Sequence, residues 1–243
     1  MKELMITGGF GKIAQHFIKN VEKEYNITVV DIATDDKVFS KNIKIVKADL
    51  TDFSACANLC KGIDTIIHLA GIANPDSEFE EILNANILAT KNIFEAAAKA
   101  KCKRVIYASS AQTIEGYDED MQINKNMPVR PKNFYGVSKC FGESLGAYYA
   151  FQKDISVICL RIGAYEFPQD FTEMNARDLS AFLHPDDFNQ LLVKCIETKD
   201  LRYEILNAIS NNRYKRLDIS ESREKVGYEP EANAFELFKL KKE

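Results

Sequence analysis

Tyr135 and Lys139 stand four residues apart in a segment, residues 134–153, whose pattern predicts a helix. On a helix, side chains at this spacing lie on the same face, one turn apart. A tyrosine hydroxyl has an ordinary pKa of about 10 and is a poor base at neutral pH. A neighbouring lysine ammonium favours the phenolate and lowers that pKa, which makes general-base catalysis possible. The alternative is an exposed Tyr/Lys pair on an amphipathic helix, because this spacing alone often occurs by chance.

A glycine-rich turn near the start of the chain predicts a second functional element. Residues 2–7 are typical of a short buried strand, Gly8 and Gly11 follow, and an amphipathic helical pattern comes next. Strand, glycine turn and helix form the context of a dinucleotide-binding fingerprint. The first glycine permits the tight turn, and the second lets the backbone approach a pyrophosphate at the helix N-terminus. Ala14, at the third position, is small enough for close packing between helix and strand.

Two carboxylates follow the next predicted strands. Asp31 closes the strand 27–31, and a carboxylate there can accept hydrogen bonds from the adenosine ribose and repel a 2′-phosphate. This favours NAD over NADP, although Asp31 could also serve only to cap a turn. Asp49 follows the strand 43–48 and is placed to meet the adenine amino group. Alternatively, Asp49 or Asp52 is only the N-cap of the following helix.

Strands and helices alternate up to residue 163, which predicts an α/β fold with a parallel sheet and right-handed crossovers. A long helix is predicted over 79–100, and a long loop, of the kind that tends to carry function, over 111–133. After residue 163 the alternation breaks, with an irregular run before a helix that starts at Asp186. We therefore expect a dinucleotide-binding domain at 1–163. Residues 164–243 would form a small substrate-binding portion, packed on the first as one globular unit.

Composition excludes several classes of function. The net charge of −4 leaves no basic patch for nucleic acid. Six cysteines without a C-x-x-C pair predict reduced thiols in a cytoplasmic protein. The three histidines are far apart in the sequence, so no metal site is expected. No apolar run approaches the roughly 18 residues of a membrane-spanning helix, and no signal peptide precedes the first strand.

Together with the segments His-Leu-Ala-Gly at 68–71, Asn86, the serine pair 109–110 and Arg-Ile-Gly at 161–163, these motifs resemble the extended short-chain dehydrogenase/reductase (NAD-dependent epimerase/dehydratase) family. The resemblance covers residues 1–163 and implies a Rossmann-type doubly wound sheet with NAD as cofactor. It implies Tyr135 as the catalytic acid/base, with Lys139 tuning it and holding the nicotinamide ribose. Ser110, rather than its neighbour, would steady the reacting oxygen.

The cofactor-binding residues that the resemblance implies are Gly8, Phe10, Gly11, Lys12, Ile13, Asp31, Asp49, Leu50, Leu69, Ala70, Gly71, Asn86, Tyr135, Lys139 and Ile162.

Within that family, the segments 134–143 and 185–188 are similar to those of uronate dehydrogenases. In that group an arginine binds the substrate carboxylate, and Arg177 matches the position of that arginine. A planar guanidinium suits a two-point contact with a carboxylate. The resemblance implies oxidation of galacturonate or glucuronate at C1 to an aldarolactone. The implied substrate-binding residues are Ala73, Ser110, Ala111, Gln112, Tyr135, Ala164 and Arg177.

The sequence departs from that group at some of these positions. Ala111 and Gln112 stand where the group has Asn-His, and Ala73 and Ala164 stand where it has serines. These changes remove polar groups from the expected sugar pocket. A site without hydrogen-bond partners cannot strongly prefer a polyhydroxylated sugar.

Two other functions use the same scaffold. One is a sugar or nucleotide-sugar epimerase or dehydratase, although only about 80 residues follow the sixth predicted strand to hold a nucleotide. The other is an NAD-binding regulatory protein without turnover, against which the Ser110, Tyr135 and Lys139 set argues. The family resemblance also implies a homodimer in which helices 79–100 and 134–153 form a four-helix interface with their two-fold mates.

Overall fold

The computed structural model describes residues 1–34, 39–41, 43–170 and 175–238. Its strands are, in chain order, β1 (Glu3–Thr7), β2 (Asn26–Asp31), β3 (Lys44–Lys47), β4 (Thr65–His68), β5 (Arg104–Ser110), β6 (Ser156–Ile162), β7 (Ala164–Tyr165), β8 (Phe182–Leu183) and β9 (Tyr203–Ala208). Its α-helices are α1 (Lys12–Val21), α2 (Phe53–Leu59), α3 (Phe79–Ile82), α4 (Ala89–Lys99), α5 (Phe134–Gln152), α6 (Ala176–Ala181), α7 (Pro185–Glu197), α8 (Ser220–Val226) and α9 (Ala234–Leu237).

Within these residues the main sheet has the strand order β3-β2-β1-β4-β5-β6-β9, and neighbouring strands are parallel throughout. The chain first builds outward from β1 to β3 and then returns to build the other half from β4. The carboxyl ends of β1 and β4 therefore form a topological switch point, where open α/β sheets bind ligands. This arrangement confirms the predicted doubly wound α/β fold.

The core lies in two layers, one on each face of the sheet. Along β1, Leu4 and Ile6 pack in the layer that contains α1 and α7, whereas Met5 packs in the layer that contains α2, α4 and α5. Successive strand residues point to opposite faces, and both faces of a parallel sheet are covered by helices. The apolar runs in the strands follow from this double burial.

The predicted helix 79–100 has nearly the right bounds but is not a continuous α-helix. A π-helical segment, Leu83–Leu88, separates α3 from α4. The segment contains Asn86, whose side chain hydrogen-bonds the backbone of Ile72. An apolar repeat does not distinguish the wider π turn from an α turn, and such turns are frequent at functional sites.

The region after residue 163 is more regular than its sequence indicates. It contains the short paired strands β7 and β8, the helix α6 and the predicted helix α7. Its strand β9 pairs with β6, so this part of the chain completes the main sheet. The division into 1–163 and 164–243 stays a prediction, since the sheet itself extends across that boundary.

Local capping positions two of the elements that matter for the site. Asn133 Oδ1 accepts a hydrogen bond from the Gly136 amide at 2.7 Å and begins α5. Asp52, and not Asp49, caps α2, since it accepts from the Ser54 amide at 2.8 Å. An N-cap side chain satisfies a helix amide that has no partner within the helix. Asp49 is therefore free of the capping role.

In the part of the chain that the structure describes, none of the helices is both long and apolar enough to cross a bilayer. The same residues contain no group of three or more histidine, cysteine or acidic side chains arranged to hold a metal ion.

Candidate active site

Two adjoining cavities lie at the carboxyl ends of the central strands. The larger has a volume of about 490 Å³ and the smaller about 420 Å³. Both cavities have Gly8, Gly11, Leu69 and Gly71 in their walls, so the turns after β1 and β4 form the boundary that the two cavities share. Together they form a single extended cleft at the switch point of the sheet.

The glycine turn brings backbone close to this cleft. Gly8 has φ +68°, and a Cβ there would lie 2.8 Å from the backbone nitrogen of Ala70. A side chain at this position would have to displace the turn after β4. Gly11 is the N-cap of α1 and has no side chain with which to cap it. The first residues of α1, Lys12 and Ile13, line the larger cavity, so the amide-rich end of the helix is available to an anion.

The smaller cavity carries the two predicted carboxylates. Asp31 Oδ2 accepts from the Phe10 amide at 3.1 Å, and its other oxygen accepts from the Ala33 amide at 3.3 Å. Asp49 accepts from the amide and the hydroxyl of Thr51, which hold the pKa of Asp49 below its ordinary value. Both acids line the cavity together with the apolar Leu50. This combination suits the ribose and adenine of a dinucleotide.

The structure brings Ser110, Tyr135 and Lys139 together on the wall of the larger cavity. Tyr135 and Lys139 lie one turn apart on α5, with Nζ of the lysine 5.5 Å from the centre of the tyrosine ring. Lys139 also donates a hydrogen bond to the carbonyl oxygen of Ala108 at 2.8 Å. The three predicted catalytic side chains therefore share one site, and their catalytic roles stay a prediction.

The acid–base properties of this site differ from the sequence expectation. Burial raises the pKa of Tyr135 above its ordinary value, and the hydrogen bond with Ser110 only partly opposes that rise. Burial also lowers the pKa of Lys139 to about 8. The pKa of Tyr135 is therefore raised overall, not lowered, and the effect of Lys139 on it stays a prediction. Burial disfavours the charged phenolate, and this desolvation outweighs the hydrogen bond with Ser110.

A buried polar network lies beneath these residues and was not anticipated from the sequence. Glu143 Oε1 accepts from Ser109 Oγ at 2.6 Å and from Arg161 Nε at 2.8 Å. A second nitrogen of Arg161 donates to Glu143 Oε2 at 2.8 Å. These contacts tie α5 to β5 and β6. Because Ser109 is engaged here, Ser110 is the serine that meets Tyr135, as the sequence analysis favoured.

Asn86 and Phe10, both predicted to bind the cofactor, lie outside the walls of the two cavities. Asn86 accepts from the Ile72 amide at 2.8 Å and donates to the Ile72 carbonyl oxygen and to Ser138 Oγ, each at 3.0 Å. Phe10 packs its ring on Phe39, and its amide binds Asp31. Both residues position backbone along the cleft, and their direct contact with a cofactor stays a prediction.

Four of the predicted substrate-binding residues, namely Ala111, Gln112, Ala164 and Arg177, are also absent from the walls of these cavities. Ala73, in contrast, lines the larger cavity. A 3-10 helix, Ala111–Ile114, turns Ala111 into a small apolar cluster, and the Gln112 side-chain oxygen accepts a hydrogen bond from Asn133. Their roles in substrate binding stay predictions.

Arg177 has an internal partner that the sequence analysis missed. Its Nε donates to Glu115 Oε1 at 2.9 Å, a second nitrogen donates to Glu115 Oε2, and a third contacts Asp178 at 3.0 Å. Arg177 lines another cavity, of about 680 Å³, together with Arg213 and Arg216. Glu115 lies 62 residues away in sequence, so local spacing gave no signal of this pair.

The cleft also contains residues to which the sequence analysis assigned no role. Pro75, Tyr165 and Glu166 lie in the wall of the larger cavity. Tyr165 and Glu166 follow β6, so the rule that ligands bind at strand carboxyl ends could have found them. The corresponding residues of the smaller cavity are Val30, Ile32, Ala48, Thr51, Ile72, Asn84, Ala85 and Ala89.

Comparison with known proteins places this cleft in a family. The model of the NAD dependent epimerase/dehydratase family matches residues 4–201. The chain is 34% identical over 207 residues to a uronate dehydrogenase of Pseudomonas putida, which covers 85% of this chain and 75% of that one. It is 30% identical over 253 residues to an NAD-dependent glucose-6-phosphate dehydrogenase of Haloferax volcanii. This match covers 96% of this chain and 95% of that one.

Among solved structures, a mutant of uronate dehydrogenase from Agrobacterium tumefaciens complexed with NAD superposes with a TM-score of 0.89. It is 29% identical in sequence, and the match covers 100% of this chain and 91% of that one. These similarities confirm the family resemblance and the fold that the sequence motifs predicted.

Proposed function

Because this chain belongs to the NAD-dependent epimerase/dehydratase family, we propose that it is an NAD-dependent dehydrogenase of small carbohydrates. The observation that carries the proposal is the convergence of Ser110, Tyr135 and Lys139 in a cavity that shares walls with the glycine turn. This combination of an acid/base pair and a phosphate-binding turn is what dehydrogenase chemistry requires.

The residues of the cleft fit a bound NAD. The Gly8 turn leaves space that a side chain would remove, and the N-terminus of α1 suits the pyrophosphate. Asp31 suits the adenosine ribose and disfavours a 2′-phosphate. Lys139 suits the nicotinamide ribose on the catalytic side of the cleft. When bound, the nicotinamide accepts a hydride from the substrate.

The chain's own residues handle the proton. Tyr135 accepts the proton of the sugar hydroxyl as the hydride leaves, and the Ser110 hydroxyl holds the reacting oxygen. The ammonium of Lys139 is a positive charge close to the Tyr135 ring, and it favours the phenolate form that accepts the proton. The raised pKa of Tyr135 makes that help necessary at neutral pH.

The proposed substrate is a uronic acid, oxidised at C1 to an aldarolactone, with galacturonate and glucuronate as the first candidates. Similarity to uronate dehydrogenases supports this choice. Similarity to a glucose-6-phosphate dehydrogenase and to an L-arabinose 1-dehydrogenase supports C1 oxidation of sugars more generally.

The test is a screen for NADH formation from NAD⁺ with galacturonate, glucuronate, galactose, glucose, glucose 6-phosphate and arabinose. We expect turnover with the uronates and tighter binding of NADH than of NADPH. UDP-galactose and UDP-glucose, assayed for interconversion, are the control for an epimerase. Absence of NADH with every sugar, or interconversion of the nucleotide sugars, would overturn the proposal.

We also propose that the protein is a cytoplasmic homodimer. Its six cysteines are free thiols, which supports a reducing compartment. The helices α3 and α5 expose large apolar side chains, among them Phe79, Phe134, Val137 and Tyr148, and the rings of Phe79 and Phe134 pack against each other. An apolar patch of this kind is typical of a two-fold interface. Light scattering should report twice the chain mass at micromolar concentration, and a monomer there would refute the dimer.

A further inference from the structure

We infer that Glu115 is an internal competitor for the carboxylate of the substrate, and that it sets how strongly the enzyme prefers an acidic sugar to a neutral one. The inference rests on the proposed function and adds a specificity-determining residue to it. Glu115 presents to Arg177 the same chemical group that a uronate would present.

The geometry of the pair is that of a bound ligand carboxylate. Both oxygens of Glu115 receive N–H donors from Arg177, so the contact is bidentate. Each of the two side chains is only 14% exposed. Charge-assisted pairs of this geometry are among the stronger polar contacts in proteins. The guanidinium has only one other contact with an acidic side chain in the described chain, the nitrogen that meets Asp178.

Glu115 and Arg177 lie on elements that are connected to the catalytic side of the cleft, one through the chain and one through strand pairing. Glu115 follows the 3-10 helix Ala111–Ile114, which begins immediately after Ser110. At a rise of about 2 Å per residue, Glu115 is roughly 10 Å along the chain from Ser110. Arg177 lies in α6, which leads into β8, and β8 pairs with the strand that carries Tyr165 of the cavity wall.

The backbone around Glu115 is held in place, so its carboxylate stays near the guanidinium. The Gly116 amide donates to the Arg130 carbonyl oxygen at 2.6 Å, and the Arg130 amide donates to the Thr113 carbonyl oxygen at 2.8 Å. The guanidinium of Arg216 donates to the carbonyl oxygen of Tyr117 at 2.8 Å. A tethered competitor acts at a fixed, high effective concentration.

A substrate carboxylate and Glu115 cannot both occupy the same two N–H groups of Arg177. An acidic sugar therefore binds this arginine only after the Glu115 side chain turns away, whereas a neutral sugar leaves the pair intact. The charge of Glu115 also repels an approaching carboxylate. Removing that charge should strengthen binding of the acid and leave the neutral sugar unaffected.

The experiment measures binding of galacturonate and galactose to the NADH complex by calorimetry, with kcat/KM for both sugars alongside. The variants are Glu115→Gln, which keeps the shape, and Glu115→Ala, which removes the side chain. If Glu115 leaves Arg177 free about one-tenth of the time, the Kd of galacturonate should fall about tenfold in both variants. Galactose binding should stay within about twofold, because it does not use the pair.

The matched control is Glu119→Gln, which removes a negative charge from the wall of the same 680 Å³ cavity without a contact to Arg177. It should leave the preference between the two sugars unchanged. The double variant Glu115→Gln/Arg177→Met should lose the gain in galacturonate affinity. Thermal denaturation of each variant verifies that it is folded.

An unchanged galacturonate Kd in both Glu115 variants overturns the inference, as does an equal gain for both sugars or a gain that survives loss of Arg177. Binding of neither sugar to any variant overturns it as well. The proposed function fails by a different result, namely no binding of NADH and no NADH formation by the wild-type protein with any sugar in the screen.

Discussion

Two carboxylate–guanidinium pairs of similar geometry occupy different regions of this molecule. Glu143 and Arg161 form the inner pair, which links α5 to β6 near the proposed catalytic residues, with exposures of 5% and 2%. Glu115 and Arg177 form the outer pair, near the C-terminal portion, each 14% exposed. The inner pair has an additional donor, the Ser109 hydroxyl, whereas the outer pair borders a cavity.

The difference shows how the same chemistry serves two purposes. Removing one partner of a buried pair leaves an uncompensated charge in a medium of low polarity. A pair that keeps some access to solvent can exchange its partner for water or for another anion at a lower cost than a fully buried pair. The inner pair therefore ties α5 rigidly to β5 and β6, whereas the outer pair has the partial exposure that the proposed exchange with a substrate carboxylate requires.

The largest effect is expected on turnover, from a substitution that tests whether Tyr135 transfers the proton. Tyr135→Phe removes only the proton acceptor, so turnover should fall by about 100- to 10,000-fold, the usual contribution of a general acid/base. NADH binding, measured by titration, should change little. Glu115→Gln should retain turnover in the same assay. Substantial activity of Tyr135→Phe with the true substrate would assign the acid/base role to another residue.

The second largest effect is expected from a substitution that breaks the inner pair. Glu143→Gln keeps the shape of the side chain but leaves the Arg161 charge buried without its counter-ion, so the free energy of unfolding should fall by about 3–5 kcal/mol. Urea denaturation monitored by circular dichroism measures the loss. A loss below about 1 kcal/mol would mean that burial does not separate the two pairs.

The third effect concerns the pH dependence of stability in the catalytic region. Burial lowers the pKa of Lys139 to about 8, against about 10.4 in an unfolded chain. The folded chain thus binds this proton more weakly, and the charged lysine opposes folding. That cost is complete below pH 8 and disappears as the pH rises through about 10.4.

Lys139→Met should therefore be more stable than the wild type by about 1–3 kcal/mol at pH 7, although it should lose cofactor binding and turnover. The gain should vanish near pH 10–11. Denaturation curves at both pH values measure it. A Lys139→Met protein that is less stable at pH 7, or whose gain is the same at both pH values, would contradict the assigned pKa.

The smallest effect is expected from a substitution that breaks the outer pair. Glu115→Gln should lower the free energy of unfolding by less than Glu143→Gln does, because the outer pair is more exposed and Arg177 keeps Asp178 as a second acidic partner. The same urea experiment measures it beside Glu143→Gln. A loss as large as that of the inner pair would make Glu115 structural and would remove the basis for its role in specificity.

The fold and the cofactor half of the cleft could be predicted because their signals are local. The Gly8 turn, Asp31 and the Tyr135/Lys139 spacing each occupy a few consecutive residues, and the ends of parallel strands must meet at one edge of the sheet. Family resemblance then supplied the roles. No long-range contact had to be known for any of these inferences.

The proposed substrate-binding region was harder to predict from sequence because it depends on contacts between distant residues. Glu115 and Arg177 are 62 residues apart, and neither spacing nor periodicity relates them. The 3-10 turn that directs Ala111 into an apolar cluster is likewise set by packing. The raised pKa of Tyr135 could not be anticipated either, since desolvation depends on the complete surroundings of the hydroxyl.

Transfer of a single hydrogen from C1 of the sugar to NAD⁺ can be followed with an isotope label. Galacturonate deuterated at C1 is incubated with the wild-type protein and NAD⁺, and the NADH formed is analysed by mass spectrometry. Hydride transfer from C1 predicts NADH that carries one deuterium, with Tyr135→Phe producing almost none. Unlabelled NADH, or no NADH in the presence of folded wild-type protein, would contradict hydride transfer from C1 of the uronate.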